Sequence, residues 1–482
     1  MPRVILGMRD PAPSRALSRA IEDGRIGGLL WFRSALGTTV AKAAARIARA
    51  RSLWPVGVPS LFAIDEEGGL IQQLSGLIAE DGRPWPRLPS PRALGRGGDP
   101  AVAHAHGREV GRRIRILGLD VTLAPLVDLD PGPESAVLGT RCLGDDPANV
   151  AEAALSWLRG LASAGIRGCV KHYPGHGATR VDSHLSLPRI STEIDIAPHL
   201  APYERISRAW SAADGPPPSV LTAHIVCGSG GSPLPASLDP TRIAAIPGGL
   251  GPVFTDSLDM GALAAFGDLV ARGRRAAEAG SDYLVVGIDE QAGLDLARSL
   301  APTDSARARA WAAPSRLPSV PDPWDEAAIT RAAAAGIRLI DDRPIPPEEW
   351  DWILPEGFRA YGPIAGPPGD AIGPRRIARV IRYESDAPAS LAAALAASAA
   401  GARAARPALV GWIHRGPPDP QTAEVLRAHP DRLRAVAHLL DGPSDASGNP
   451  DCWSIETCGF GEGELAALER IWVAVPTVRF AD

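Results

Sequence analysis

Several signals are missing from this sequence, and each absence removes a class of function. No Lys/Arg-rich run stands out, lysine is nearly absent, and the formal net charge is −5. Binding to a nucleic-acid backbone, which depends on a basic surface, therefore has no electrostatic support. The five cysteines (Cys142, Cys169, Cys227, Cys452 and Cys458) are odd in number and show no CxxC spacing. Neither a disulfide framework nor a zinc ribbon follows from them, and reduced thiols fit best. The opening residues MPRVILGMRDP hold no apolar run of signal-peptide length, and no later run is long enough to span a bilayer. The sequence thus predicts a cytoplasmic protein with no membrane partner. No solenoid-length repeat is visible.

What is present is ordinary for a soluble chain of 482 residues: 45% apolar and 22% charged, with Ala, Gly, Pro and Arg in excess, as in GC-rich coding. The length predicts two or three domains. Short apolar runs recur through the first 290 residues: GGLLWF (27–32), LFAID (61–65), LDVTLAPLVDL (119–129), IRGCVKHY (166–173), SVLTAHI (219–225), GPVFTD (251–256) and SDYLVVG (281–287). Amphipathic stretches such as NVAEAALSWLRGLASAG separate them. This alternation predicts a parallel α/β fold. The runs end in ionisable residues: Asp65, Asp128, Lys171 with His172, His224 and Asp256. A (β/α)8 barrel gathers all its strand ends on one face, whereas a doubly wound sheet gathers ligand groups mainly at one switch point. The expected fold is therefore a (β/α)8 TIM-type barrel over residues 1–325. Around LPSVPDPWD the composition becomes that of a linker. Residues 326–482, with runs FRAYG, RVIRYE, ALVGWI, LRAVAHLL and IWVAV, predict a smaller C-terminal α/β sandwich without GxGxxG or P-loop.

The chemistry concentrates in KHYPGHGATRVDSHLSLP (171–188). Its Gly and Pro residues exclude a helix. A metal site would need something like HExxH, but His172 and His176 flank Tyr-Pro-Gly, and no metal or cofactor is expected. A phosphate cradle would need GK[ST] and a following helix. His176, between two glycines, reads as a hydrogen-bonding strut. Asp182 and His184 form a different pair: a carboxylate two residues from an imidazole can fix its tautomer and raise its basicity, as general acid/base work requires. Asp256 ends a strand and suits a nucleophile or electrostatic stabiliser, with helix N-capping as the plain alternative and Asp259, expected inside the next helix, as a competitor. Asp65, before Gly68 and Gly69, suits recognition of paired hydroxyls or stabilises a turn.

Taken together, these segments resemble glycoside hydrolase family 3, in its β-N-acetylhexosaminidase (NagZ-type) branch. The loop resembles KHFPGHG-x-T-x-x-DSH-x-x-LP. AIDEEGGLIQQL looks like the branch's IDQEGG segment, LAPLVDLDP like APVxDL, and LGTRCLGDDP like RxFGxDP. VLTAHI, PASLDP and VFTDSLDMGAL match later landmarks in order, over roughly residues 1–300. The resemblance implies a retaining exo-glycosidase on a (β/α)8 barrel, with Asp256 as nucleophile, His184 as general acid/base and Asp182 as its partner. Asp65, Arg141, Lys171, His172 and His176 would hold or line the pocket of a GlcNAc-containing sugar. The Gly-rich loop bearing His184 is expected to order when substrate binds. Leu70 departs from the Arg that often follows EGG. The C-terminal unit has no specific motif and reads as a structural or dimerising addition. Other readings of the same site are a β-N-acetylglucosaminide phosphorylase, a β-glucosidase or β-xylosidase, and a non-catalytic sugar-binding protein.

Overall fold

The structure is a computed structural model of the chain. It describes residues 2–131, 138–179, 183, 186–190, 192–228, 233–303, 305–312 and 321–324, and then the shorter segments 328–329, 331–332, 338–339, 350–355, 377–383, 391–393, 395, 408–412, 424–425, 428, 433–438 and 453–456. The first part alternates strand and helix: β1 (Val4–Met8), α1 (Arg15–Glu22), β2 (Ile26–Trp31), α2 (Arg33–Leu36), α3 (Val40–Arg51), β3 (Leu61–Ile64), α4 (Pro91–Gly97) and α5 (Pro100–Leu117). Then come β4 (Val121–Thr122), α6 (Pro147–Ser163), β5 (Cys169–Tyr173), β6 (Arg189–Ile190), α7 (Glu193–Ala209), β7 (Ser219–Thr222) and β8 (Val226–Cys227). The series ends with α8 (Pro240–Ala244), β9 (Val253–Thr255), α9 (Leu269–Ala279), β10 (Leu284–Val286), α10 (Glu290–Ser299) and α11 (Ala306–Ala312).

One local rule starts several helices. Asp99-Pro100, Asp146-Pro147 and Asp239-Pro240 each place an aspartate at the N-cap and a proline at the first turn of α5, α6 and α8. The aspartate accepts an otherwise unpaired N–H, and proline's missing N–H is not needed there. Strands β2, β3, β5 and β7 are buried throughout, as parallel strands covered by helices are.

The expected parallel α/β architecture is observed, with three strands, β1, β6 and β8, beyond the seven apolar runs. VILGM, the core of the N-terminal stretch, forms β1 and pairs in parallel with both β2 and β10. The ladders among the described residues form two sheets rather than a closed ring, in the orders β10-β1-β2-β3-β4 and β5-β7-β9, while β6 and β8 pair separately. Single parallel bridges cross both seams: Val121 to Arg167 and Leu126 to Lys171 on one side, Phe254 to Tyr283 on the other. Backbone bonds accompany them, Cys169 N to Ala124 O at 2.8 Å and Thr255 N to Tyr283 O at 3.0 Å. Regular pairing fails at the first seam because β4 has only two residues and Pro125 has no N–H to donate.

A buried cluster takes one or more side chains from each of eight strands: Ile5, Leu30, Ala63, Val121, Cys169, Leu221, Phe254 and Val285, with Trp311 of α11 beneath them. The Trp311 ring meets Phe254 at 5.9 Å and its indole N–H donates to Pro217 O at 2.9 Å. A second, larger cluster fills the layer between strands and helices.

The later strands are β11 (Arg338–Leu339), β12 (Trp350–Pro355), β13 (Ile377–Tyr383), β14 (Ala408–Trp412), β15 (Leu433–His438) and β16 (Trp453–Glu456), in the order β11-β16-β15-β14-β12-β13. All pair in parallel except β11 with β16. Strands β13, β14 and β15 cover the described residues of the expected runs RVIRYE, ALVGWI and LRAVAHLL. FRAYG and IWVAV lie outside the described residues, and β12 and β16 were not among the expected runs. The end of the expected linker is fastened down: Trp324 N donates to Glu109 Oε2 at 3.2 Å, and its ring meets His106 edge-on at 5.9 Å.

Helices α5 and α6 cross through reciprocal notches. A methyl group at Gly107 would lie 2.0 Å from Trp157 O, and one at Gly160 would lie 2.1 Å from His104 O. Both obstacles are backbone, so neither can swing away. We expect Gly160→Ala to destabilise the protein by about 1–3 kcal/mol, seen as a lower thermal-unfolding midpoint in scanning calorimetry. A midpoint equal to wild type would show that the helices separate at no cost.

Candidate functional site

The carboxyl end of β3 supplies Asp65, followed at once by Glu66 and Glu67. Lys171 leaves the middle of β5 and places its ammonium between two of these acids, 2.8 Å from Asp65 Oδ1 and 2.7 Å from Glu67 Oε1. Arg141, in a short turn at Gly139–Arg141, clamps Glu67 from the other side with two 2.9 Å bonds. The four side chains form a balanced quartet of two cations and two anions. Glu67 is 1% exposed and Lys171 4%, whereas Asp65 is 21% exposed; Asp65 is the member of the two acids that can meet a ligand. Burial alone would raise the Glu67 carboxyl, but Arg141 and Lys171 hold it down at about 2. Burial likewise opposes the ammonium of Lys171, and Asp65 and Glu67 raise it above its usual range. Glu67, Lys171 and Arg141 are therefore charged at neutral pH.

The loop after Glu67 turns sharply. Gly68 has φ +98°, and a side chain there would run into Pro89 O at 2.5 Å. Gln72 then ties the loop to the next segment, donating to Gly69 O at 2.7 Å and accepting from Leu88 N at 2.8 Å. Leu70 is half-buried in this turn.

A second group is organised by Asp128, which is fully buried. Its Oδ2 lies 2.6 Å from His172 Nδ1 and accepts His172 N at 3.1 Å, and its Oδ1 accepts His176 N at 2.6 Å. Burial would raise this carboxyl, yet His172 and His176 keep it at about 2. The two rings lie edge to face, 5.9 Å apart. His176 is engaged on both nitrogens, with Ser183 Oγ at 2.9 Å from Nε2 and Thr179 Oγ1 at 3.1 Å from Nδ1; burial pushes its pKa down. The strut reading of His176 agrees with these bonds.

Asp256 follows β9. Its N donates to Thr222 O at 2.9 Å, and its Oδ1 accepts Ser257 N at 2.7 Å. It is half-buried and acts electrostatically on His176 and His224. The N-cap alternative is overturned: a short 3-10 turn, Gly261–Phe266, follows, with Met260 at its cap. Asp259 lies in the intervening turn rather than inside a helix. Its oxygens are occupied by Ser257 Oγ (2.7 Å), Ile288 N (2.6 Å) and Asp289 N (3.1 Å), which makes it a structural acceptor.

Of the expected site residues, the structure brings Asp65, Arg141 and Lys171 into one network and His172 with His176 into another, with Asp256 on the same strand-end face. Asp182, His184 and the expected ordering of their loop lie outside the described residues. Ser183 between them is buried, and its O accepts Ala262 N at 3.1 Å. Sequence reasoning left Glu67 unassigned and gave Asp128 no role beyond ending a strand. The available signals were an acid run stopped by two glycines, and a strand-end aspartate opposite a strand ending in Lys-His.

The depressed Glu67 carboxyl contributes stability that is present above the ordinary carboxylate pKa of 4.5 and lost as pH falls toward about 2. Glu67→Gln leaves two buried cations facing one partly exposed acid. We expect it to cost roughly 3 kcal/mol at neutral pH and to make the acid limb of stability shallower than in wild type. Thermal unfolding followed from neutral pH down into that acid range checks this, and parallel curves for the two proteins would contradict it.

Comparison with known proteins identifies the family. The family model described as the glycosyl hydrolase family 3 N terminal domain matches residues 2–303. A curated β-hexosaminidase of Alkalilimnicola ehrlichii is 34% identical over 241 residues, 47% of this chain and 65% of that protein. One of Aromatoleum aromaticum is 34% identical over 280 residues, 55% of this chain and 74% of that protein. The match thus spans slightly less than two thirds of the first of these relatives. Among solved structures, a glycoside hydrolase family 3 β-N-acetylglucosaminidase from Paenibacillus sp. shares the fold with a TM-score of 0.78, covering 98% of this chain and 95% of that one at 23% identity. NagZ from Neisseria gonorrhoeae in complex with N-trifluoroacetyl-D-glucosamine gives 0.56 at 26% identity, covering 68% of this chain and 92% of that one. With a family model matching well over half of its length, and the site built from the strand ends within that match, this chain belongs to glycosyl hydrolase family 3.

Proposed function

We propose that the chain is a retaining, exo-acting β-N-acetylglucosaminidase that removes non-reducing-end GlcNAc from muropeptides or chitooligosaccharides. The observation that carries this reading is the charged quartet of Asp65, Lys171, Glu67 and Arg141, held on the same face as Asp256. Lys171 has three N–H donors and gives two to carboxylates, which leaves one for a sugar hydroxyl. Asp65, partly exposed, accepts from a neighbouring hydroxyl. Charged partners make stronger hydrogen bonds than neutral ones, and because the quartet is fixed beforehand, little ordering cost remains at binding. His172, oriented by Asp128, lines the same pocket, and His176 braces it. The β-hexosaminidase names of the curated relatives support the choice of sugar.

In the proposed reaction, the Asp256 carboxylate attacks the anomeric carbon while the His184 imidazolium protonates the departing oxygen. Neutral His184, steadied by Asp182, then takes a proton from water as that water displaces Asp256. No metal or cofactor takes part.

We further propose that the eight strands β1, β2, β3, β4, β5, β7, β9 and β10 form a (β/α)8 barrel. The bridges at both seams and the cluster fed by all eight strands support it. Residues 1–325 would be this catalytic domain, and 326–482 a C-terminal α/β domain with a structural or dimerising role. A reducing, cytoplasmic setting suits the buried thiols of Cys142 and Cys169. Among the described residues no helix is long and apolar enough to cross a membrane.

A panel of aryl β-glycosides (GlcNAc, GalNAc, glucose, xylose), each with and without phosphate, tests the activity. We expect turnover of the β-GlcNAc substrate, with release of free GlcNAc. GlcNAc 1-phosphate as the product would indicate phosphorolysis, and turnover of glucoside or xyloside alone would reassign the sugar. Asp256→Ala should lower kcat by at least ~10³-fold; near-normal activity in that variant would refute its assignment.

A further inference from the structure

Glu66 stands between two members of the quartet and belongs to neither network. It is fully buried, at 0% exposure. Its backbone is stapled to Thr122 of β4, whose hydroxyl lies 3.2 Å from both Glu66 N and Glu66 O. Its side chain turns toward the loop, where Oε2 accepts Gln73 N at 2.6 Å and Leu74 N at 3.1 Å. One carboxyl group thus closes residues 66–74 into a loop whose first residues carry the sugar-facing edge. The other oxygen, Oε1, and the side-chain nitrogen of Gln73 are both buried without a hydrogen-bond partner among the described residues.

The cations that act on Glu66 bond to other groups, although Arg113 Nη2 is buried without a hydrogen-bond partner among the described residues. Arg33 of α2 gives its Nη1 to Gln73 O and Ser75 O at 2.8 and 2.6 Å. Arg113 of α5 gives Nε to Glu109 Oε1 and Nη1 to Pro86 O, both at 2.7 Å. Both cations act on Glu66 through space, but neither contacts it. Arg87 acts on Arg33, and Arg112 shares Glu109 with Arg113. The neighbouring acid, Glu67, is neutralised by Lys171 and Arg141. A carboxylate with no ion pair and no water contact is expensive to keep charged. Burial outweighs the pull of Arg113, the two backbone N–H bonds and Arg33, and raises its pKa to about 7.

We propose that Glu66 is a positioning residue for sugar binding, a carboxylic acid that holds the Asp65–Glu67 edge in place in its proton-bearing form and loosens it on ionising. The proposal rests on the reading of Asp65 and Lys171 as the sugar-holding groups. The sign follows from linkage: a raised folded-state pKa favours the ordered loop at low pH, and that advantage is lost as pH rises through about 7. Binding weakens over the same interval, so KM rises while kcat, set on the β9 side, keeps its own profile. If ordering by substrate moves the Glu66 pKa by one unit, KM changes about tenfold.

The test compares wild type with Glu66→Gln, which keeps an oxygen acceptor for Gln73 N and Leu74 N but cannot ionise. KM and kcat for an aryl β-GlcNAc are measured from about pH 5.5 to about pH 9, together with the thermal midpoint and ¹³C spectra of the Glu carboxyls without substrate. We expect KM to rise with pH in wild type only, kcat profiles of the same shape in both, and one carboxyl resonance titrating near neutrality that the Gln variant lacks. Superimposable KM profiles, or no such resonance, overturn the proposal; a purely structural role would lower the midpoint and leave the KM profile unmoved. If wild type turns over no β-GlcNAc substrate at any pH, the functional reading fails and the positioning role falls with it, while the carboxyl titration still reports whether Glu66 holds a proton.

Discussion

The Lys171 ammonium, held between Asp65 and Glu67, is the interaction on which the site depends. It joins the end of β3 to the middle of β5, strands with β4 between them. Buried ion pairs are a weak source of stability, because desolvation offsets most of the attraction. Their value here is geometric. Arg141 balances Glu67, so the quartet is neutral overall, every buried charge has a partner, and Asp65 is left partly exposed. A hydrophobic replacement of similar volume would pack well and leave no such donor or acceptor.

Asp128 repeats the same logic for the histidines. One buried carboxylate takes a ring N–H and two backbone N–H groups, fixing the start of the His loop before any ligand arrives. Asp256 follows β9, and Asp259 beyond it spends its oxygens on the turn. Beneath them a layer of apolar side chains from eight strands, sealed by Trp311, gives these polar groups a rigid floor. Preorganisation of this kind lets charge develop in a reaction without rearrangement of its surroundings.

Much of this was readable from sequence for a physical reason. Parallel strands buried on both faces must be continuous apolar runs, and runs that end in Asp, Lys or His reveal which end faces the chemistry. β1 escaped because VILGM is short and sits in a stretch read mainly for signal-peptide character. Glu67 escaped because, in a run of three acids, sequence cannot say which side chain turns inward to meet Arg141, a residue 74 positions away. Glu66 was invisible for the same reason: nothing in DEE distinguishes a partly exposed acid, a buried acid without an ion pair and a buried acid clamped by two cations. The seams between the two sheets were equally hidden, since Pro125 reads as a loop signal and not as a missing donor in a ladder.

The central claim is that the quartet and Asp256 face one sugar from opposite sides. A crystal structure of the protein soaked with GlcNAc tests it most directly. The account predicts Asp65 and Lys171 within about 3.2 Å of hydroxyl oxygens of the same ring, with its anomeric carbon toward Asp256. A sugar bound elsewhere, or one in this pocket with Lys171 still engaged only by Asp65 and Glu67, would contradict it.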